Sequence, residues 1–137
     1  MSALVWGVKE SLLRYVSRTP DGRVDLVDGV VRHGDVFAFP GSAPRGAGLH
    51  FRGAVVLTGH GGLMRVVLRD PGLLPVAGGW VLEITDPDDP RERLPFAEVA
   101  GFDGRNGSGV TLTGDGADLF FGPYEAGTPL DAFTVRG

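Results

Sequence analysis

The feature that most constrains this chain is a change of period at Thr19-Pro20-Asp21-Gly22. Before it, Val5, Val8, Leu12 and Tyr15 recur at helical spacing, with Leu13 and Val16 beside them and Lys9, Glu10 and Arg14 outside that face. This predicts an amphipathic N-terminal helix, with Ser2 available to cap its start. The turn ends it, because proline restricts the residue before it and Asp-Gly accepts positive φ. Tyr15 then falls in the last helical turn. Beyond Gly22 the apolar residues alternate. One short helix followed by many short strands predicts a mainly β fold: an antiparallel, sandwich-like sheet domain with the helix packed against it.

The alternation divides into segments. Residues 23–27 form a first strand, Asp28-Gly29 turns, and 30–39 carry a second strand region interrupted at Gly34. Residues 40–48 hold three glycines and two prolines and read as a surface loop. Residues 49–58 are the strongest strand, with Leu49, Phe51, Val55 and Leu57 on one face and Gly53 as a bulge or close approach. Thr58-Gly59-His60-Gly61-Gly62 returns the chain into 63–69, where Met64, Val66 and Leu68 face one way. After the Asp70-Pro71-Gly72 turn, residues 79–85 resume as a strand, and 86–93 form a charged excursion. Residues 96–102 and 109–113 are two further strands, 117–121 a last core segment, and 133–135 a closing strand.

Composition narrows the function classes. A chain of 137 residues is read as a single domain, 1–137, able to bury a core without staples. Without cysteine it has no disulfide, thiolate metal site or cysteine nucleophile. A net charge of −4, with Lys9 the only lysine and the arginines scattered, argues against nucleic acid as a partner. No apolar run reaches the length of a membrane span. A native start at this methionine implies the cytoplasm, since no secretory leader pattern precedes Trp6; a trimmed chain leaves the cell envelope or the exterior open. Ser11 lies inside the helix without a Gly-x-Ser-x-Gly elbow, and the carboxylates gather in turns rather than facing one another. Gly101-Phe102-Asp103-Gly104 and Gly114-Asp115-Gly116 read as turns rather than phosphate cradles, no helix start being expected after a buried strand there.

Two side chains carry the remaining chemistry. A phenol and an imidazole together can hold ferric iron through oxygen, and Tyr15 and His60 are the candidates. From the helix pattern alone, Tyr15 reads first as an amphipathic core residue whose hydroxyl reaches a carbonyl or water. His60 reads equally as a turn residue tolerant of unusual φ, its flanking glycines suiting either a tight turn or the close approach of a flat ligand. His33 and His50 read as surface residues.

Three blocks of the sequence resemble one family. Trp6-Gly7-Val8-Lys9-Glu10-Ser11 with Tyr15-Val16 resembles the opening of the HtaA domain, a haem-binding module of actinobacterial haem-uptake proteins. Phe51 to Pro71, FRGAVVLTGHGGLMRVVLRDP, resembles its central strand pair with the Gly-His-x-Gly turn. Tyr124-Glu125-Ala126-Gly127-Thr128-Pro129-Leu130-Asp131 resembles its closing segment. The blocks occur in the family's order and span almost the whole chain.

The resemblance implies a non-enzymatic protein that binds ferric haem b for transport, buffering or delivery, with a haem donor or acceptor protein as partner. It implies Tyr15 as the axial ligand to iron and His60 as the hydrogen-bond partner of the tyrosine oxygen. A free phenol is neutral at pH 7, and both ferric iron and a neighbouring donor favour the phenolate. Tyrosinate is an established haem ligand that suits Fe(III). A helix C-terminus disfavours an anion, an effect that Arg14 and Arg18 offset in part. On this reading Ser11, one turn before Tyr15, contacts a propionate or a bridging water. Leu12, where the family commonly has phenylalanine, and the edge of the Phe51 strand form walls, and Tyr124 belongs to a fold-closing element. A runner-up reading keeps the fold and replaces haem by a metal-free tetrapyrrole or another flat hydrophobic molecule. A haem-dependent enzyme ranks below both, since no distal acid–base pair is evident.

Overall fold

A computed structural model describes residues 2–44, 46–120, 122 and 124–137. Its first element is a strand where the sequence predicts helix: β1 (Ala3–Trp6) precedes α1 (Glu10–Arg18). The apolar residues of β1 alternate, Leu4 and Trp6 buried and Ala3 and Val5 half-buried, so period two wins over the helical spacing of Val5 and Val8. Sheet pairing on both sides stabilises that choice. β1 lies between β4 (Val36–Pro40) and the last strand, β12 (Phe133–Arg136), with Trp6 opposite both Phe37 and Phe133. Ser2 therefore caps nothing; its carbonyl accepts the Gly41 amide at 2.8 Å. The helix begins after Lys9, without a side-chain cap, and buries Leu12, Leu13 and Val16. Val8, between the two elements, has φ 62 and is fully buried. That is an unfavourable conformation for a β-branched residue, held by the packing around it.

The remaining elements are β2 (Arg23–Val27), β3 (Val31–His33), β5 (Leu49–His50), β6 (Ala54–Gly59), β7 (Met64–Arg69), β8 (Gly72–Val76), β9 (Gly79–Asp86), β10 (Asp89–Phe102), β11 (Asn106–Leu112) and a one-turn helix, α2 (Gly114–Ala117). They form a nine-stranded sheet of order β3-β4-β1-β12-β11-β10-β9-β8-β5 and a three-stranded sheet of order β2-β6-β7. The named strand pairs are antiparallel, so the mainly β, antiparallel fold with one main helix against it stands as read. One continuous cluster of buried side chains joins Trp6, Phe37, Phe39 and Phe96 of the large sheet to Leu57 and Val66 of the small one, with α1 packed onto it.

Several boundaries differ from the sequence reading. The predicted strand 49–58 breaks at Arg52-Gly53, and its halves join different sheets. Gly53 has φ 99, and a Cβ there would lie 2.5 Å from Val30, so the chain crosses between sheets where only glycine fits. Region 30–39 is two strands turning at Gly34-Asp35, not one interrupted strand. β8 was hidden in the sequence by Pro71 and Pro75. The charged excursion 86–93 is a hairpin: Asp89 pairs Asp86, and β10 runs on through bulges that accommodate Pro90 and Pro95. A helix start does follow β11 at Gly114, with Thr113 Oγ1 accepting the Gly116 amide at 2.8 Å. Within the segment read as 117–121, Phe121 lies outside the described residues, as does Arg45 of the 40–48 loop.

Candidate functional site

The last turn of α1 and the β6–β7 turn meet at one edge of the molecule. The buried face of α1 runs through Leu12, Leu13 and Val16, which leaves Tyr15 beside that face rather than on it, and half its surface (50%) is exposed. The Thr19 amide (3.1 Å) and Thr19 Oγ1 (2.8 Å) both bond the Tyr15 carbonyl, which ends the helix there. Opposite, β6 ends in a single 3₁₀ turn, His60–Gly62, before β7 begins. Tyr15 Oη and His60 Nε2 are hydrogen-bonded to each other, with ring centroids 5.5 Å apart at a 49° tilt. His60 itself is exposed, with φ 53, and its backbone is held from outside by the carboxylate of Asp21.

This pair stands at the mouth of a cleft of about 420 Å³ lined by Ser11, Leu12, Tyr15, His60, Met64, Phe120, Gly122 and Tyr124. The four residues singled out in the sequence, Ser11, Leu12, Tyr15 and His60, thus share one cavity. Leu12 is a buried wall, whereas Ser11 is at the exposed rim. Phe51 is not part of the lining. It is buried in the core and hydrogen-bonds Pro71 through its amide at 3.0 Å, because the strand that carries it breaks before β6. Arg14 pairs with Glu10 at 3.7 Å on the solvent side, an exposed contact of little energetic weight. His33 is exposed and His50 half-buried beside Gly72, both outside the cleft lining.

Sequence reasoning missed Met64, Phe120 and above all Tyr124. Read as a fold-closing residue, Tyr124 packs edge-on to Phe120 at 5.0 Å, against the core and on the cleft wall at once. Burial, and secondarily the nearby Tyr15 phenol, push its hydroxyl above the ordinary phenol range. The signal available was its being the second of only two tyrosines, but nothing in the local spacing tied it to Tyr15.

The cleft is two-faced in chemistry. Leu12, Met64 and Phe120 offer apolar and polarisable surface for a flat ligand, and Tyr15, His60, Tyr124 and Ser11 offer oxygen and nitrogen groups. The donor set, an accessible phenol already engaged with an imidazole, fits oxygen ligation of a hard cation such as ferric iron at the centre of a flat apolar ring. A larger depression, about 720 Å³, lies over β9–β11 around Trp80, Glu98 and Thr111, but it holds no comparable pair of groups.

A sequence model of the HtaA family matches residues 1–136. The fold is similar to the crystal structure of the C-terminal domain of HtaA from Corynebacterium glutamicum, with a TM-score of 0.74 and 22% identity over 98% of this chain and 93% of that one. A domain-swapped dimer of a histidine-to-alanine variant of the same domain is similar with a TM-score of 0.63 and 20% identity, over 92% of this chain and 89% of that one. No curated protein matches the sequence.

Proposed function

Because this chain belongs to the HtaA family, known in haem uptake, we propose that its Tyr15–His60 cleft binds ferric haem b, Tyr15 serving as axial ligand and His60 as the partner of the ligating oxygen. The observation that carries this reading is the Tyr15 Oη–His60 Nε2 hydrogen bond at the mouth of a largely apolar cleft. With Tyr15 holding the iron, His60 would take up the phenol proton and donate it back to the ligating oxygen as a hydrogen bond. Leu12, Met64 and Phe120 would exclude water from the ring face, and Ser11 at the rim would contact a propionate. Tyr124, a neutral phenol on the cleft wall, would donate a hydrogen bond inside the cleft. The role is capture and hand-over of haem rather than turnover, by one binding domain spanning 1–137, with a haem donor or acceptor protein at either end.

Titration with haemin followed by absorbance tests this. Wild type should saturate at one haemin per chain with a high-spin ferric, phenolate-type spectrum. That spectrum should vanish in Tyr15→Phe, and affinity should drop roughly 10–100-fold in His60→Ala, as for loss of a partner supporting a ligand. Parallel titration with metal-free protoporphyrin IX separates the alternative: equal binding of the iron-free ring, indifferent to Tyr15→Phe, would make this a site for flat apolar molecules instead.

A further inference from the structure

The tip that carries His60 is poorly supported by packing. A Cβ added at Gly61 or Gly62 would meet nothing within 4 Å, and Leu63 is 69% exposed. His60 (φ 53) and Gly61 (φ 64) are both left-handed, which is uncommon for a residue with a side chain. Two successive amides in such a turn converge on a small anion-binding concavity. The anion is supplied by the chain itself. Asp21 Oδ1 accepts the His60 amide at 2.9 Å and Asp21 Oδ2 accepts the Gly61 amide at 2.7 Å.

Asp21 belongs to the turn that ends the Tyr15 helix. The Gly22 amide bonds the Thr19 carbonyl at 2.9 Å, and Thr19 is in turn bonded to the Tyr15 carbonyl, so the segment from Tyr15 to Gly22 is a continuous hydrogen-bonded unit. That unit is seated on the strand end just before His60: a Cβ at Gly59 would lie 3.0 Å from Met64 Cε and 3.3 Å from Thr19 Cγ2. One carboxylate therefore spans the two pieces of chain that present the phenol and the imidazole.

We propose that Asp21 is the positioning residue of the site: its two oxygens clasp the His60-Gly61 amides, hold the left-handed turn, and so aim the His60 ring at Tyr15. A carboxylate is suited to this because it offers two acceptors to two donors; an asparagine offers one and sets an NH₂ against the other amide. The two amide bonds hold the Asp21 carboxyl below the usual carboxylate range, because they favour the charged form that accepts them. Asp103 provides the internal contrast. Its Oδ1 alone accepts both the Arg105 (2.9 Å) and Asn106 (2.7 Å) amides in the β10–β11 turn, a one-oxygen counterpart of the clasp with no site residue attached.

The consequence for haem rests on the function proposed above, whereas the clasp concerns the ligand-free chain, so the test has two arms. In haem-free protein, the His60 ring resonances should move toward those of exposed His33 in Asp21→Asn and further in Asp21→Ala, and should stay in place in Asp103→Ala. In the haemin-loaded protein, Asp21→Ala should release haemin about tenfold faster, the scale of one lost charged hydrogen bond, while Asp103→Ala releases it at the wild-type rate. Unmoved His60 resonances in a folded Asp21→Ala overturn the proposal, as does an equal shift in Asp103→Ala. Should both Asp21 variants fail to fold, hydrogen exchange on the wild type decides. The His60 and Gly61 amides, though at an exposed tip, should exchange at least about tenfold more slowly than in an unstructured peptide of the same sequence, and equal rates overturn the clasp. A wild type that ignores haemin while its His60 signals still respond to Asp21 leaves the clasp standing and removes the haem reading.

Discussion

Both ends of the Trp6–Thr19 segment are tied to distant parts of the chain, in opposite ways. At its start, Trp6 is 1% exposed, lies edge-on to Phe96 at 6.0 Å and donates Nε1–H to the Asp131 carbonyl at 2.8 Å. The Asp131 amide returns a bond to the Val8 carbonyl at 2.9 Å, and Lys9 Nζ reaches the Pro129 carbonyl at 2.8 Å. At its other end, Tyr15 is half-exposed and meets an exposed histidine on a tip without packing. The first junction removes aromatic surface from water and satisfies its polar atoms, so it holds the fold. The second leaves its polar atoms where a ligand can reach them, beside a sparsely packed tip of the kind in which binding elements are expected. Stability and ligand chemistry are thus set at opposite ends of a segment joined by one helix of nine residues.

Two substitutions should make that separation measurable. Trp6→Ala removes a fully buried indole and orphans the Asp131 carbonyl, and should cost about 3–5 kcal/mol in chemical denaturation, a large part of the stability of a domain this size. Tyr15→Phe should change stability by no more than ~0.5 kcal/mol, being an exposed site, yet lower haemin affinity by more than about a hundredfold, beyond what losing a supporting partner costs. A Tyr15→Phe protein as destabilised as Trp6→Ala would break the contrast.

The same contrast explains what could be read from the sequence. The Met64, Val66 and Leu68 face of β7 was legible because strand period, burial and register agree there. β1 was not. Val5 and Val8 happen to fall at helical spacing, and what makes Ala3–Trp6 a strand is pairing with β4 and β12, partners far along the chain that a local window does not see. Tyr15 and His60 are paired by the family resemblance rather than by any spacing between them, and a helical period begun at Val5 places Tyr15 on the buried face. Once the helix starts at Glu10, its apolar face shifts to Leu12, Leu13 and Val16, and Tyr15 moves to the rim. Tyr124 was out of reach for a related reason: its place opposite α1 is made by tertiary packing on Phe120, which no spacing encodes.

A third substitution probes the ground between the two junctions. Gly59 has extended backbone that any residue adopts, so Gly59→Ala acts only through space, against Thr19 Cγ2 and the flexible end of Met64. Met64 can give way, and overpacking should cost about 1 kcal/mol in denaturation, the low end for a core methyl. Because Thr19 caps the helix end that carries Tyr15, the haemin spectrum should change as well. A stability loss with an unaltered spectrum would show that the helix end is free to shift without disturbing the phenol.

The smallest effect expected concerns Tyr124. With two tyrosines in the chain, Tyr15→Phe leaves Tyr124 as the only phenol, and its ionisation can be followed by ultraviolet difference absorbance. Burial is the larger cause raising it and the Tyr15 charge the smaller, so in haem-free Tyr15→Phe it should still titrate above an ordinary phenol, by less than in wild type. The sign for stability follows. The folded protein holds this proton more tightly than the unfolded chain, where the phenol titrates near 10. Its contribution is therefore complete below about pH 10 and is lost as pH rises through the raised folded value. An ordinary titration of Tyr124 in folded Tyr15→Phe would mean that its hydroxyl is in water rather than in the cleft, and the aromatic wall opposite α1 would then consist of Phe120 without its polar end.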